Sequence, residues 1–106
     1  MEFGYQKMYI GGALVDSVSK TRADVICSAD GKPIAQIAEA RKADAEKAQE
    51  AAQKGFAFWS KYSLSERTQW MLKLREAVLE NEHLLRSAIV YEMGKTYDAA
   101  WEDIEA

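Results

Sequence analysis

The sequence predicts an α+β fold in which two short N-terminal β-hairpins precede about four α-helices. Three observations lead there. Two glycine turn signals, Gly11-Gly12 and Asp30-Gly31, punctuate residues 1–40 between short apolar runs. From Lys42 onward the apolar residues recur at spacings of three and four. Strand signals and helix signals are segregated along the chain, the pattern of an α+β piece and not of a nucleotide-binding βαβ repeat.

The first hairpin pairs "KMYI" with "ALV" across Gly11-Gly12, two residues that accept the positive φ of a tight turn. The second sets "ADVIC" against "PIAQIA", with "SADGK" between them. Ile34 and Gln36 alternate with Ala35 and Ile37, as on the two faces of a strand. Pro33 cannot donate to a ladder, so it belongs at the strand's first residue or on an edge. The strands form two hairpins or one irregular antiparallel sheet. A two-stranded ribbon is marginal in water and needs something to pack on.

The first helix follows Lys42, with Ala45, Ala48, Ala52, Phe56 and Trp59 on one stripe. Asp44 places a negative charge in its first turn, at the positive end of the helix dipole, while Arg41 makes a poor N-cap. Ser63-Leu64-Ser65-Glu66 is a capping box that opens the second helix. Its stripe is Leu64, Arg67, Met71, Leu74 and Val78, broadened by Trp70, Leu72, Ala77 and Leu79. Asn81 is expected to cap a third helix that carries Leu84, Leu85, Ala88 and Ile89. Gly94 falls where a left-handed residue would end it. Thr96 caps a fourth helix, with Tyr97, Ala100, Trp101 and Ile104 on one face, and no stop signal follows.

Composition excludes several classes of function. Hydrophobic residues make up 48% and charged residues 29%, enough apolar surface for a packed fold. A net charge of −3 with no basic cluster leaves no nucleic-acid footprint. No apolar run approaches the roughly 20 residues of a membrane helix, and "MEFGYQKMYIGG" has no apolar signal-peptide segment. A single cysteine, Cys27, rules out an internal disulfide and fits a reducing, cytoplasmic setting.

Candidate chemistry is sparse. "YIGGA" and "ADGKP" lack the spacing and the strand–turn–helix context of a phosphate loop. His83 reads as a solvated surface residue in the first turn of a helix. One histidine and one cysteine cannot build a zinc site of ordinary composition. Cys27 closes an apolar strand with no base nearby to lower its pKa, so it reads as a packed thiol. Glu92 stands out because it shares a stripe with Leu85, Ala88 and Ile89. A carboxylate there would be partly buried, which is costly without a partner. It either reaches solvent or an Arg or Lys at the helix end, or lies near a cation or backbone amides.

Several segments in order match one family. "MYIGGALVDS" resembles the opening hairpin of the aldehyde dehydrogenase superfamily, and "VICSADGKPIAQIAEA" resembles its next strand pair. The run from Asp44 to Ile104 is similar throughout, with an alanine-rich helix ending in Phe and Trp, a Ser-x-x-Glu-Arg start, a leucine-rich helix and the "EMGK" turn. The resemblance covers residues 8–106, nearly the whole chain. Cys27-Ser28 stands in place of the usual Asn-Pro, Leu14 in place of a common tryptophan, and Thr96 where proline is frequent.

The resemblance implies a parent enzyme that oxidises an aldehyde to an acid with NAD or NADP. There a cysteine attacks the aldehyde and a glutamate activates the hydrolytic water. Those motifs lie downstream of the matched segment. No catalytic residue and no cofactor-binding residue is therefore expected in this chain, and Cys27 is not the family nucleophile. The chain, residues 1–106, is expected to be the N-terminal part of the cofactor domain (hairpins over 1–40, helices over 41–106), cut short and inactive alone. Its partners would be the remainder of the parent fold and, in the parent, further copies of itself, with no nucleic acid and no membrane. The resemblance also implies a structural sodium or potassium ion, bound by the backbone carbonyls of Val25 and Ile26 and the carboxylate of Glu92. The alternative is a stand-alone helical interaction or oligomerisation module with Tyr97, Trp101 and Ile104 as its partner surface.

Overall fold

The computed structural model describes residues 2–106; Met1, the first residue of the predicted strand region, lies outside them. In chain order the elements are β1 (Gly4–Gln6), β2 (Met8–Ile10), β3 (Ala13–Val15), β4 (Arg22–Ile26), β5 (Pro33–Ala38), α1 (Lys42–Trp59), α2 (Leu64–Glu80), α3 (Glu82–Met93) and α4 (Tyr97–Glu105). They form two units. One runs up to Val25 and resumes over Pro33–Tyr62; the other comprises Ile26–Lys32 and Ser63–Ala106.

In the first unit, β2 and β3 form the predicted antiparallel hairpin, with Met8 opposite Val15, Tyr9 opposite Leu14 and Ile10 opposite Ala13. Gly11 and Gly12 both have positive φ, 62° and 84°, as a tight hairpin turn with two left-handed central residues requires. A second sheet has the order β1-β5-β4, and Pro33 is the first residue of its central strand. One pairing differs from the sequence expectation of hairpins alone. β1 lies parallel to β5, with Gly4 beside Ala35, Tyr5 beside Gln36 and Gln6 beside Ile37. The three residues "GYQ" have no strand pattern of their own; partners about thirty positions later supply it. The N–H of Phe3 extends the pairing by donating to the Ile34 carbonyl at 2.9 Å.

Side chains hold β1 in place as well. The Tyr5 hydroxyl donates to Asp16 Oδ1 at 2.5 Å, and the Arg22 guanidinium lies 3.7 Å from the centre of the Tyr5 ring. The bond to Asp16 raises the Tyr5 pKa, and the same bond lowers that of Asp16. Among the described residues, Ile34, Ala35 and Ala38 on β5 are the buried apolar ones of this unit.

The start of α1 is better closed than Arg41 suggests. Asp44, only 2% exposed, accepts from the Arg41 N–H through Oδ2 and from the Val18 N–H through Oδ1, each at 2.9 Å. One carboxylate thus caps the helix and ties down the loop before β4. These backbone donors hold its pKa below the ordinary 3.8. The predicted stripe of α1 stays largely open within this unit, with Phe56 67% and Trp59 37% exposed. α1 lies close to the hairpin: a methyl group at Gly11 would sit 3.7 Å from the Ala51 Cβ.

In the second unit, the capping box at Ser63 is present in full. Glu66 N–H donates to Ser63 Oγ at 3.2 Å, and Ser63 N–H donates to Glu66 Oε2 at 2.7 Å. Asn81 departs from expectation. Its side chain does not cap α3 but donates from Nδ2 to the Ala77 carbonyl at 2.8 Å, closing the end of α2. At φ −105° and ψ 14° it is the single-residue joint between the two helices. Gly94 ends α3 in the left-handed region, φ 74° and ψ 18°. Thr96 caps α4 by accepting from the Ala99 N–H at 3.2 Å. Ala100 is fully buried and Cys27 is 7% exposed.

Candidate functional site

Of the residues singled out from the sequence, Val25 and Ile26 end β4, Cys27 opens the turn before β5, and Glu92 lies near the end of α3. Asp30 Oδ1 accepts from the Lys32 N–H at 3.0 Å, and Gly31 takes a φ of 72°. Two backbone bonds close the turn: Gly31 N–H to the Cys27 carbonyl at 3.0 Å and Cys27 N–H to the Lys32 carbonyl at 2.9 Å. Ser28 then joins this turn to the end of α3. Its N–H donates to the Tyr91 carbonyl at 3.1 Å, and its hydroxyl donates to the Glu92 carbonyl. Helix ends leave their last carbonyls without intrahelical partners. Here a serine from a distant turn takes over that task.

That junction brings Ile26–Ser28 and Tyr91–Glu92 into one unit. Val25, part-buried, belongs to the other, where it ends the first stretch. Glu92, the penultimate residue of α3, is exposed and not partly buried as its stripe suggests, because nothing covers that stripe here. It borders an open groove of about 530 Å³ that is also lined by Leu85, Ile89, Asp103 and Ile104. Among the described residues, no three His, Cys, Asp or Glu side chains gather as a metal cluster. Cys27 is buried just beyond β4, the packed thiol that its apolar surroundings predict.

A second polar cluster, at the α3–α4 junction, has no counterpart in the sequence reading. Arg86, 13% exposed at its side chain, donates to Glu82 Oε1 at 2.8 Å. It also donates to the Tyr97 carbonyl through Nε at 3.0 Å and through a terminal nitrogen at 2.7 Å. Its guanidinium lies 3.7 Å from the Tyr97 ring centre. The Tyr97 hydroxyl and His83 Nδ1 are 2.9 Å apart, so His83 is exposed but not merely solvated. The i, i+4 spacing of Glu82 and Arg86 was the available signal. The match to a carbonyl of the next helix was not readable. These contacts fix the first turn of α4.

Beside α4 lies a second groove, of about 570 Å³, whose lining includes Met71, Leu74, Val78, Trp101 and Ile104. No residue of α2 is buried, and Met71 and Leu74 are 57% and 55% exposed. Among the described residues, no helix is long and apolar enough to cross a membrane.

Known proteins share this arrangement. The aldehyde dehydrogenase family profile matches residues 14–106. Malonate-semialdehyde dehydrogenase 2 of a Bacillus cereus strain is 35% identical over 98 residues, which cover 92% of this chain and 20% of that protein. Among solved structures, 3,6-anhydro-L-galactose dehydrogenase in complex with NAP superposes with a TM-score of 0.90 at 25% identity, over 95% of this chain and 21% of that one. Betaine aldehyde dehydrogenase of Staphylococcus aureus in complex with NAD+ superposes with a TM-score of 0.88 at 27% identity, over 94% and 20%. The chain thus spans about a fifth of the length of the relatives it matches. Short strands followed by four helices are the front portion of that fold. With the profile running from β3 through the end of α4, the chain belongs to the aldehyde dehydrogenase family.

Proposed function

We propose that this chain supplies the N-terminal strands and helices of an NAD(P)-dependent aldehyde dehydrogenase, an enzyme that oxidises an aldehyde to a carboxylic acid, and that it supports the cofactor domain without performing the chemistry. The observation that carries this reading is the profile match over residues 14–106, set against relatives about five times as long. The residues present do not fit the dinucleotide. A pyrophosphate site of this kind needs a glycine turn between a strand and a helix N-terminus. The positive-φ glycines here open β1, make the two hairpin turns and end α3. Buried Cys27 is read as a packed thiol and not as the nucleophile. A cofactor-reduction assay with simple aldehydes tests the proposal: this chain alone is expected to give no NADH or NADPH, and turnover would overturn it.

The finer parts of the reading follow from the family. The partners are the rest of the parent fold, which would cover the faces of α2 and α4, and further copies of the parent in a cytoplasmic homo-oligomer. A sodium or potassium ion would be held by the Val25 and Ile26 carbonyls and the Glu92 carboxylate. An all-oxygen set suits a hard cation. Glu92→Gln is expected to remove any sodium or potassium dependence of thermal stability. Wild-type stability that is indifferent to both ions would overturn the cation.

The open groove beside α4 favours one rival, a self-standing interaction module. Sedimentation separates the two: a discrete oligomer that unfolds cooperatively supports the module, and loose or aggregating behaviour supports the enzyme segment.

A further inference from the structure

We draw no further inference here: the strongest candidate, the apolar groove beside α4 lined by Met71, Leu74, Val78, Trp101 and Ile104, is already the surface assigned to the rest of the fold, and nothing in the structure shows any other occupant.

Discussion

Replacing Gly94 with alanine tests whether the β4–β5 turn and the end of α3 are built as one piece. Gly94 has a φ of 74°, where an L-residue costs roughly 1–2 kcal/mol. Alanine recovers about 0.4–1 kcal/mol of this by restricting the unfolded chain, so the backbone effect alone is about 1 kcal/mol. Position 94 adds a steric effect. A Cβ there would meet the Ser28 Cβ at 3.3 Å, and Ser28 is held by its bonds to Tyr91 and Glu92, so it cannot easily give way. Overpacking of this kind costs about 1 kcal/mol more.

Gly31 is the internal control. It has a φ of 72°, and nothing lies within 4 Å of an added Cβ. Gly94→Ala should therefore cost about 2 kcal/mol and Gly31→Ala about 1 kcal/mol. In a chain of this size the difference is several degrees in Tm, roughly 4–8 °C per kcal/mol. Urea midpoints at constant slope measure it. In a Ser28→Gly background the extra cost at position 94 should vanish. Equal losses at the two glycines, or an excess that survives Ser28→Gly, would refute the reasoning.

Other outcomes follow from the same structure. Lys20 is the only described non-glycine with positive φ, 56°, so Lys20→Asn is expected to raise the urea midpoint by up to about 1 kcal/mol of stability. Asp44 has its pKa lowered in the folded state, so its contribution is complete above the unfolded value near 3.8 and is lost as pH falls through the lower folded value. Asp44→Asn should therefore flatten the acid limb of a stability–pH profile below about pH 4, and an unchanged limb would place the titration elsewhere. Arg86→Met should cost about 2 kcal/mol and speed hydrogen exchange in α4 more than in α2, because it leaves the Tyr97 carbonyl and Glu82 without their charged donor. Tyr5→Phe keeps the ring under Arg22 but removes the donor to Asp16, so it should lift the acidic pKa of Asp16 toward its ordinary value, as carboxylate NMR would show.

Features fixed by neighbours in the chain were the legible ones. The Ser63 box, the Thr96 cap, the left-handed Gly94 and the Gly11-Gly12 turn each depend on residues within four positions, and all four stand where the sequence places them. Long-range partners set the rest. β1 needs β5, Asp44 reaches back to Val18, and Arg86 finds a carbonyl eleven residues ahead. Asn81 misleads because an asparagine between two helices can serve either end; the Ala77 carbonyl, which also accepts from the Asn81 N–H, won the side chain. Glu92 misleads for a different reason. A shared stripe predicts burial only where something covers that stripe, and here the groove beside it is open. The residues of the candidate cation site come by analogy with the family, whereas the Ser28 junction between the turn and α3 appears only in the structure.

The serine that joins the turn to α3 limits what that turn can become. Surface connections ordinarily tolerate added residues at small entropic cost, and such tips are common places for engineered grafts. A graft between Cys27 and Gly31 would have to let Ser28 keep its reach to the last carbonyls of α3. Insertion tags and peptide displays belong instead at the Gly11-Gly12 turn, whose exposed tip has no comparable side-chain tether among the described residues.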